Sequence, residues 1–169
     1  LVRAAAARFI AARPHDRIGL LRFARFPDLV CPLTLDHRAL LELLTDVELV
    51  AKNDAEDRTG IGIAVARAAL LLRGSTAPSR VVIVLSDGVE NVASEDTPDE
   101  IGPLRAGQLC EQFGVRVHAI AVAPPAAAVA AQPIDSDPLR HLAESTGGLF
   151  LTAHDGGAHD GFRLEAEAL

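Results

Sequence analysis

The sequence predicts an α/β domain: a doubly wound, mostly parallel sheet flanked by helices. Three observations predict this class. Short apolar runs typical of buried strands alternate with Ala- and Leu-rich segments of helical spacing. The run at 81–85, Val-Val-Ile-Val-Leu, has the composition of a strand buried on both faces. Polar residues follow this run directly, and in open parallel sheets ligands bind beyond the carboxyl ends of the strands.

In the first half of the chain, the pattern predicts a helix, two strands and a second helix. Apolar residues recur at helical spacing up to Ile10, and a buried strand over 18–23 follows. A shorter strand at 29–32 ends on a proline, which predicts an edge of the sheet. Asp36 is expected to cap a helix that runs to about Val47. Four leucines are expected on the inner face of that helix: Leu40, Leu41, Leu43 and Leu44.

The second half predicts further helix and strand pairs. Thr59-Gly-Ile-Gly opens a helix to about Arg73, and its two glycines let the first turn lie against another backbone. After the strand at 81–85, Pro103 is expected to break a helix over 99–113 into two pieces. The remaining elements are a strand at 115–122, a helix from Asp137 or Pro138 to Gly147 and a strand at 149–151, with loops at 48–58 and 123–135.

Length, charge and composition limit the organisation of the chain and its partners. The 169 residues make one domain, predicted over 1–153, with a tail or weak helix at 154–169. The 23 acidic and 16 basic residues give a net charge of −7, which argues against nucleic acid, whose binders need a concentrated positive face. No apolar run approaches the roughly 20 residues that span a bilayer, so we expect a soluble piece that does not itself insert into a membrane. Cys31 and Cys110 predict two buried thiols, without the spacing of a zinc site.

Two oxygen-bearing residues are expected at the carboxyl end of the sheet. Asp87 comes directly after the strand at 81–85, and Thr59 lies at the mouth of the preceding helix. A carboxylate and a hydroxyl on adjacent loops suit a hard cation such as Mg²⁺. Each residue also has a purely structural interpretation, an Asx turn with Gly88 for the aspartate and a helix N-cap for the threonine.

Several segments, in order and in spacing, resemble the von Willebrand factor type A (vWA) domain, most closely its bacterial aerotolerance (Bat) type. The resemblance covers about 1–153 and is far more specific than any one segment alone. The segments are Arg17-Ile-Gly-Leu-Leu-Arg-Phe-Ala24, Pro32-Leu-Thr34 with Asp36, Arg58-Thr-Gly-Ile-Gly-Ile-Ala64, Val82-Ile-Val-Leu-Ser-Asp-Gly88 with Asn91, Gly114-Val-Arg-Val-His-Ala-Ile-Ala-Val122, and Leu139-Arg-His-Leu-Ala-Glu-Ser-Thr-Gly-Gly148.

The resemblance implies a protein-interaction module and no enzyme. Its metal-ion-dependent adhesion site (MIDAS) would hold Mg²⁺, or Mn²⁺ or Ca²⁺, and the metal would bind an Asp or Glu of a partner protein. Thr59 matches the family's threonine ligand, and Asp87 matches its aspartate. The residues beside them are expected to form the partner surface, although a solvated acidic loop is an equal alternative for the acidic part: Gly60, Gly88, Glu90 and Asn91. The family type also implies a parent anchored in a bacterial inner membrane.

The family's first metal-binding loop, Asp-x-Ser-x-Ser, has no match in the sequence. The family places it after a strand just ahead of the first helix, and the chain starts at Leu1 and contains no Met, so we expect an N-terminally truncated domain with an incomplete metal site. That strand lies in the middle of the family's sheet. Its absence would leave the strands at 18–23 and 81–85 with one unpaired edge each, so either they close on each other or another segment fills the gap.

Other interpretations have less support. A receiver-like or phosphoryl-transfer domain could use Asp87 as the phosphorylated carboxylate, but Lys52 is the only lysine and lies in a polar loop. A scaffold that uses the fold without metal is a further alternative. The Gly60-Ile-Gly62 sequence lacks the Lys of a phosphate-binding loop. The tail residues His154, Asp155, His159 and Asp160 lack zinc-site spacing.

Overall fold

Two groups of strands, each with its own helices, form the frame of the molecule. The structure is a computed structural model, and it describes residues 2–48, 58–86, 90–93, 100–122, 137–155 and 162–166. The elements are α1 (Val2–Ala11), β1 (Ile18–Phe23), β2 (Pro27–Thr34), α2 (His37–Thr45), α3 (Ile61–Leu72), β3 (Val81–Ser86), α4 (Pro103–Phe113), β4 (Arg116–Val122), α5 (Asp137–Ser145), β5 (Phe150–Asp155) and β6 (Phe162–Ala166). The predicted α/β class is confirmed.

The first group is the antiparallel pair β1–β2 with helices α1 and α2. A small core joins α1, β2 and α2 through Ile10, Cys31, Leu40 and Leu44. Asp36 caps α2 as predicted, because its Oδ1 accepts the N–H of Ala39 at 3.0 Å. Leu43, predicted on the inner face, is instead 37% exposed. For this residue the prediction was wrong: Leu40 and Leu44, one helical turn apart, are buried on the inner face, and Leu41 packs against the same core.

The second group is a four-stranded sheet in the order β3-β4-β5-β6. The pairs β3–β4 and β4–β5 are parallel, and β6 is antiparallel to β5. Helices α3, α4 and α5 pack in a row against the sheet. One face of β4 is fully buried at Val117, Ala119 and Ala121, while residues between them remain partly exposed. The strands are therefore buried mainly on one face, and the predicted burial on both faces is not seen among the described residues.

Some predicted elements need correction. Residues 162–166 form strand β6, where a tail or weak helix was predicted, because pairing with β5 supplies the backbone bonds that the local sequence does not favour. Pro103 begins α4 at its first turn and does not break it, since the N–H that proline lacks would be unpaired there anyway. Strands β2 and β5 are longer than the predicted 29–32 and 149–151. Most of the predicted loop at 48–58 and all of that at 123–135 lie outside the described residues.

Strands β1 and β3 do not pair with each other. Each has one hydrogen-bonded neighbour within the described ranges, β2 for β1 and β4 for β3. Both strands nevertheless contact α3, and Phe23 at the end of β1 packs against the core that contains Val84 of β3. Of the two predicted alternatives, closure of these strands on each other is not observed among the described residues, and the filling of the gap by another segment stays a prediction. We refer to the space between β1 and β3, beneath α3, as the slot.

Candidate metal-dependent binding site

The candidate site is built where α3 begins, beside the ends of β1 and β3. The N–H of Gly60 donates to the carbonyl oxygen of Ala24, the residue that follows β1, at 2.8 Å. On its other side, the start of α3 is hydrogen-bonded to residues 90 and 91, just beyond the end of β3. The start of α3 is therefore bonded both to the residue after β1 and to residues 90 and 91.

Two glycines allow the close packing of this region. A Cβ on Gly60 would lie 2.7 Å from the carbonyl oxygen of Arg25, and one on Gly62 would lie 2.1 Å from that of Ile101. Real Cβ atoms do not come so near to backbone atoms, so both positions require glycine. The prediction that the glycines let the first turn of α3 lie against another backbone is confirmed. Gly60, expected at a partner surface, is itself buried.

Thr59 is held in place by its backbone. Its N–H donates to Oδ1 of Asn91 at 2.7 Å, and its carbonyl oxygen accepts the N–H of Asn91 at 3.1 Å. The N-cap of α3 is Gly60, so the alternative role of Thr59 as a helix cap is not observed. Within the described residues the hydroxyl of Thr59 has no hydrogen-bond partner. A hydroxyl oxygen of this kind is a suitable ligand for a hard cation.

Glu90 has a function that the sequence did not predict. Its Oε2 accepts the N–H of Gly62 at 2.9 Å, and its Oε1 accepts the N–H groups of Val92 and Ala93 at 2.9 and 3.1 Å. One signal was present in the sequence: Gly60 at the N-cap has no side chain, so the free N–H groups of α3 needed a remote acceptor. Nothing local to α3 indicated that residue 90 would provide it.

Asp87 and Gly88 lie outside the described residues, so the expected proximity of Thr59 and Asp87 stays a prediction. In the described part of the chain, no group of three His, Cys, Asp or Glu side chains could hold a metal ion. The tail residues considered for a metal site are only partly covered, since 156–161 are not described. Thr59 is the one expected metal ligand that the structure describes. Its hydroxyl oxygen, which has no hydrogen-bond partner among the described residues, is chemically suited to a hard cation.

Arg25 lies next to this site through its backbone, since its carbonyl oxygen lies against Gly60. It lies in the turn between β1 and β2, and its guanidinium carbon is 5.2 Å from the ring centre of Phe26, which is 48% exposed. Its Nε is buried and has no hydrogen-bond partner among the described residues. Since buried polar groups are usually paired, this nitrogen marks a place where an acceptor is missing.

Fold and site together define an α/β binding domain whose loops meet at one end of its strands. The model of the von Willebrand factor type A domain family matches residues 1–90, more than half of the chain. The chain belongs to this family. Membership makes it a domain of the protein-interaction type, as the sequence predicted.

Two curated proteins match this chain over part of their own length. An uncharacterized protein of Borreliella burgdorferi is 30% identical over 114 residues, which are 68% of this chain and 31% of that protein. A UPF0353 protein of Mycolicibacterium paratuberculosis is 26% identical over 146 residues, 83% of this chain and 44% of that protein. The chain therefore spans less than half the length of these curated relatives.

Solved structures confirm the fold. The conserved hypothetical protein BatB of Bacteroides thetaiotaomicron matches with a TM-score of 0.73 at 18% identity, over 93% of this chain and 80% of that one. An aerotolerance-related membrane protein of Bacteroides fragilis matches with a TM-score of 0.63 at 18% identity, over 88% and 79%. Within the described part of the chain, no helix has the length and apolar character needed to cross a membrane.

Proposed function

We propose that this domain binds a partner protein through a divalent cation held by Thr59 and Asp87. The observation that carries the proposal is the state of Thr59: both of its backbone polar groups are bound by Asn91, while its hydroxyl is free among the described residues. Because these bonds fix the backbone at Thr59, little backbone entropy is lost when its oxygen binds a metal. The residue after β3 supplies the carboxylate.

When bound, the cation would offer an open coordination position to an Asp or Glu carboxylate of the partner. Mg²⁺ is the expected ion, with Mn²⁺ or Ca²⁺ as substitutes. With Asp-x-Ser-x-Ser absent from residues 1–169, two side chains remain as ligands. We therefore expect weak binding by this chain, because each lost oxygen ligand is replaced by water.

Arg25 supports the choice of an acidic partner. Its buried Nε has no acceptor among the described residues, and its carbonyl oxygen lies against Gly60, next to Thr59. The positive charge of this residue favours a negatively charged group on the partner over a positively charged one. In this proposal Gly60, Glu90 and Asn91 support the loops, and Gly88 and the other residues after β3 offer backbone contacts to the partner. No covalent step is involved, so the domain is not an enzyme.

A paramagnetic titration tests the metal site even when binding is weak. Mn²⁺ added to ¹⁵N-labelled protein should broaden the amide signals of Thr59, Gly60 and Asn91 before those of distant residues. Asp87→Asn and Thr59→Val should each abolish this selectivity, because each removes a ligand oxygen or its charge at nearly constant size. Thr59→Ser is the matched control and should retain it. Broadening that survives both ligand variants would contradict the proposal.

We further propose that the domain belongs to a longer, membrane-associated bacterial protein. The support is that the chain covers only 31% and 44% of its relatives, and that a structural neighbour is described as an aerotolerance-related membrane protein. Detection of the parent protein with an antibody against this domain should find it in the membrane fraction. Recovery of the full-length parent only from the soluble fraction would contradict this localisation.

A further inference from the structure

Helix α3 begins without a cap of its own. Its N-cap is Gly60, which has no side chain to accept the free N–H groups of the first turn. The N–H of Gly62 is bound instead by Glu90, which lies 28 residues further along the chain. The start of α3 thus depends on a residue of the loop that follows β3.

The carboxylate of Glu90 also holds its own loop. While Oε2 accepts from Gly62, Oε1 accepts from Val92 and Ala93, so three backbone donors meet at one carboxylate. Val92 is 4% exposed, which anchors this turn in the molecule. Glu90 takes part in none of the ion pairs among the described residues, and backbone dipoles provide the compensation for its charge.

Asn91 forms a second connection beside the first. Its Oδ1 accepts the N–H of Thr59, and its own N–H donates to the carbonyl oxygen of Thr59. The neighbouring residues Glu90 and Asn91 therefore bind the backbone of the segment 59–62 at two points, Gly62 and Thr59. Such a two-point attachment fixes both the distance and the rotation of one loop relative to the other.

We propose that Glu90 and Asn91 are positioning residues that set the place of the Thr59 hydroxyl relative to the turn at 90–93. This inference rests on the proposed function, since it concerns the same site. Neither residue needs to touch the metal. Their three side-chain oxygens already accept backbone N–H groups, so their effect on metal binding is indirect.

Glu90→Gln tests the first connection. The amide keeps the size of the side chain but has one oxygen acceptor, so it cannot bind both Gly62 and the turn at 92–93. We expect amide hydrogen exchange to become about tenfold faster at Gly62 or at Val92 and Ala93, the factor for loss of one charge-assisted hydrogen bond. Glu111→Gln, an equal change of charge on an exposed residue of α4, should leave these amides unchanged.

Asn91 offers a matched pair of variants. Asn91→Ala removes the acceptor of the Thr59 N–H and should accelerate exchange at Thr59 by about tenfold, whereas Asn91→Asp retains an acceptor oxygen and should restore protection. In the Mn²⁺ titration, Glu90→Gln and Asn91→Ala should weaken the selective broadening at Thr59, and Asn91→Asp and Glu111→Gln should not.

The outcomes separate this inference from the proposed function. Unchanged exchange at Gly62, Val92, Ala93 and Thr59 in the variants would overturn it, whatever the metal does. Faster exchange with unaltered Mn²⁺ broadening would also overturn it, because the bonds would then be structural only. If the unmodified chain shows no selective broadening, the metal site itself fails, and the exchange data alone decide whether Glu90 and Asn91 position Thr59.

Discussion

At the scale of single residues, His118 shows how one side chain can link stability to pH. Its Nδ1 accepts the N–H of Leu149 at 2.9 Å, so the ring proton of the neutral form is on Nε2. Burial, and secondarily the charge of Arg116, lower the pKa of His118 below its ordinary value of about 6.5. Protonation of Nδ1 would replace this acceptor with a donor and break the bond at the start of β5.

We expect His118 to make the folded state less stable in mild acid. The unfolded chain takes up a proton near pH 6.5 while the folded chain remains neutral, so stability falls as the pH decreases below about 6.5 and stops falling below the lowered pKa. Urea unfolding of the wild-type protein and of His118→Asn at several pH values measures this effect. Asn keeps an acceptor near the position of Nδ1 and does not titrate, so the difference between the two proteins should decrease from pH 7.5 to 5.5. Parallel pH profiles would show that His118 is not responsible.

Thr59 and Glu90 show what the sequence can predict of a site. The sequence places Thr59 at the mouth of an Ala- and Leu-rich helix and in the spacing of the family's threonine, and its role as a metal ligand stays a prediction. The role of Glu90 depends on a contact between residues 28 positions apart, which no local pattern contains. The absence of a capping side chain at Gly60 indicates that some acceptor is needed, but the identity of that acceptor follows only from the fold.

At the scale of elements, Gly62 limits how α3 meets the segment before α4. In an exposed helix, Gly→Ala would raise stability by about 1 kcal/mol. Here the added Cβ would lie 2.1 Å from the oxygen of Ile101 and 2.4 Å from the carbonyl carbon of Gly102, both backbone atoms that cannot rotate away. We expect Gly62→Ala to lower the free energy of unfolding by about 1–3 kcal/mol, measured by urea denaturation.

Gly74, just beyond α3, is the matched control. No atom lies within 4 Å of a Cβ built at this position. Gly74→Ala should therefore leave stability unchanged or raise it by up to about 1 kcal/mol, because alanine reduces the entropy of the unfolded chain. Equal stability of the two variants would mean that the loop at 101–102 moves aside easily and that the packing of α3 does not require glycine.

The elements differ in how well the sequence predicts them. Strand β1 was predicted at 18–23, where the structure has it, because apolar residues fill a short run between Arg17 and a turn. Strand β6 was missed because Phe-Arg-Leu-Glu-Ala has two charges and good helix formers. Its strand state depends on the edge that β5 provides, and tertiary pairing of this kind overrides local propensity.

At the scale of the whole molecule, the slot between β1 and β3 is the feature that bears most on stability. Each strand has a backbone edge without a described partner, and the resemblance to the vWA fold assigns the first strand of the sheet to this place. Apolar side chains on the outer face of the sheet, among them Ile83, Leu85 and Ile120, are also only partly buried. Open edges next to an apolar face are the features that lead to association between chains.

We therefore expect residues 1–169 alone to self-associate and to unfold with a broad transition. Each buried backbone group left without a partner costs about 1–3 kcal/mol, against a total stability of about 5–15 kcal/mol. A chain extended ahead of Leu1 by a family-type strand and its Asp-x-Ser-x-Ser loop, about 30 residues in all, should be a monomer with a sharp thermal transition, because the added strand would satisfy both edges.

The same extension with proline in the middle of its strand is the control, since proline cannot donate to the ladder and should leave the protein associated. Size-exclusion chromatography and calorimetry compare the three proteins, and a sharply melting monomer from residues 1–169 would show that the slot needs no added strand.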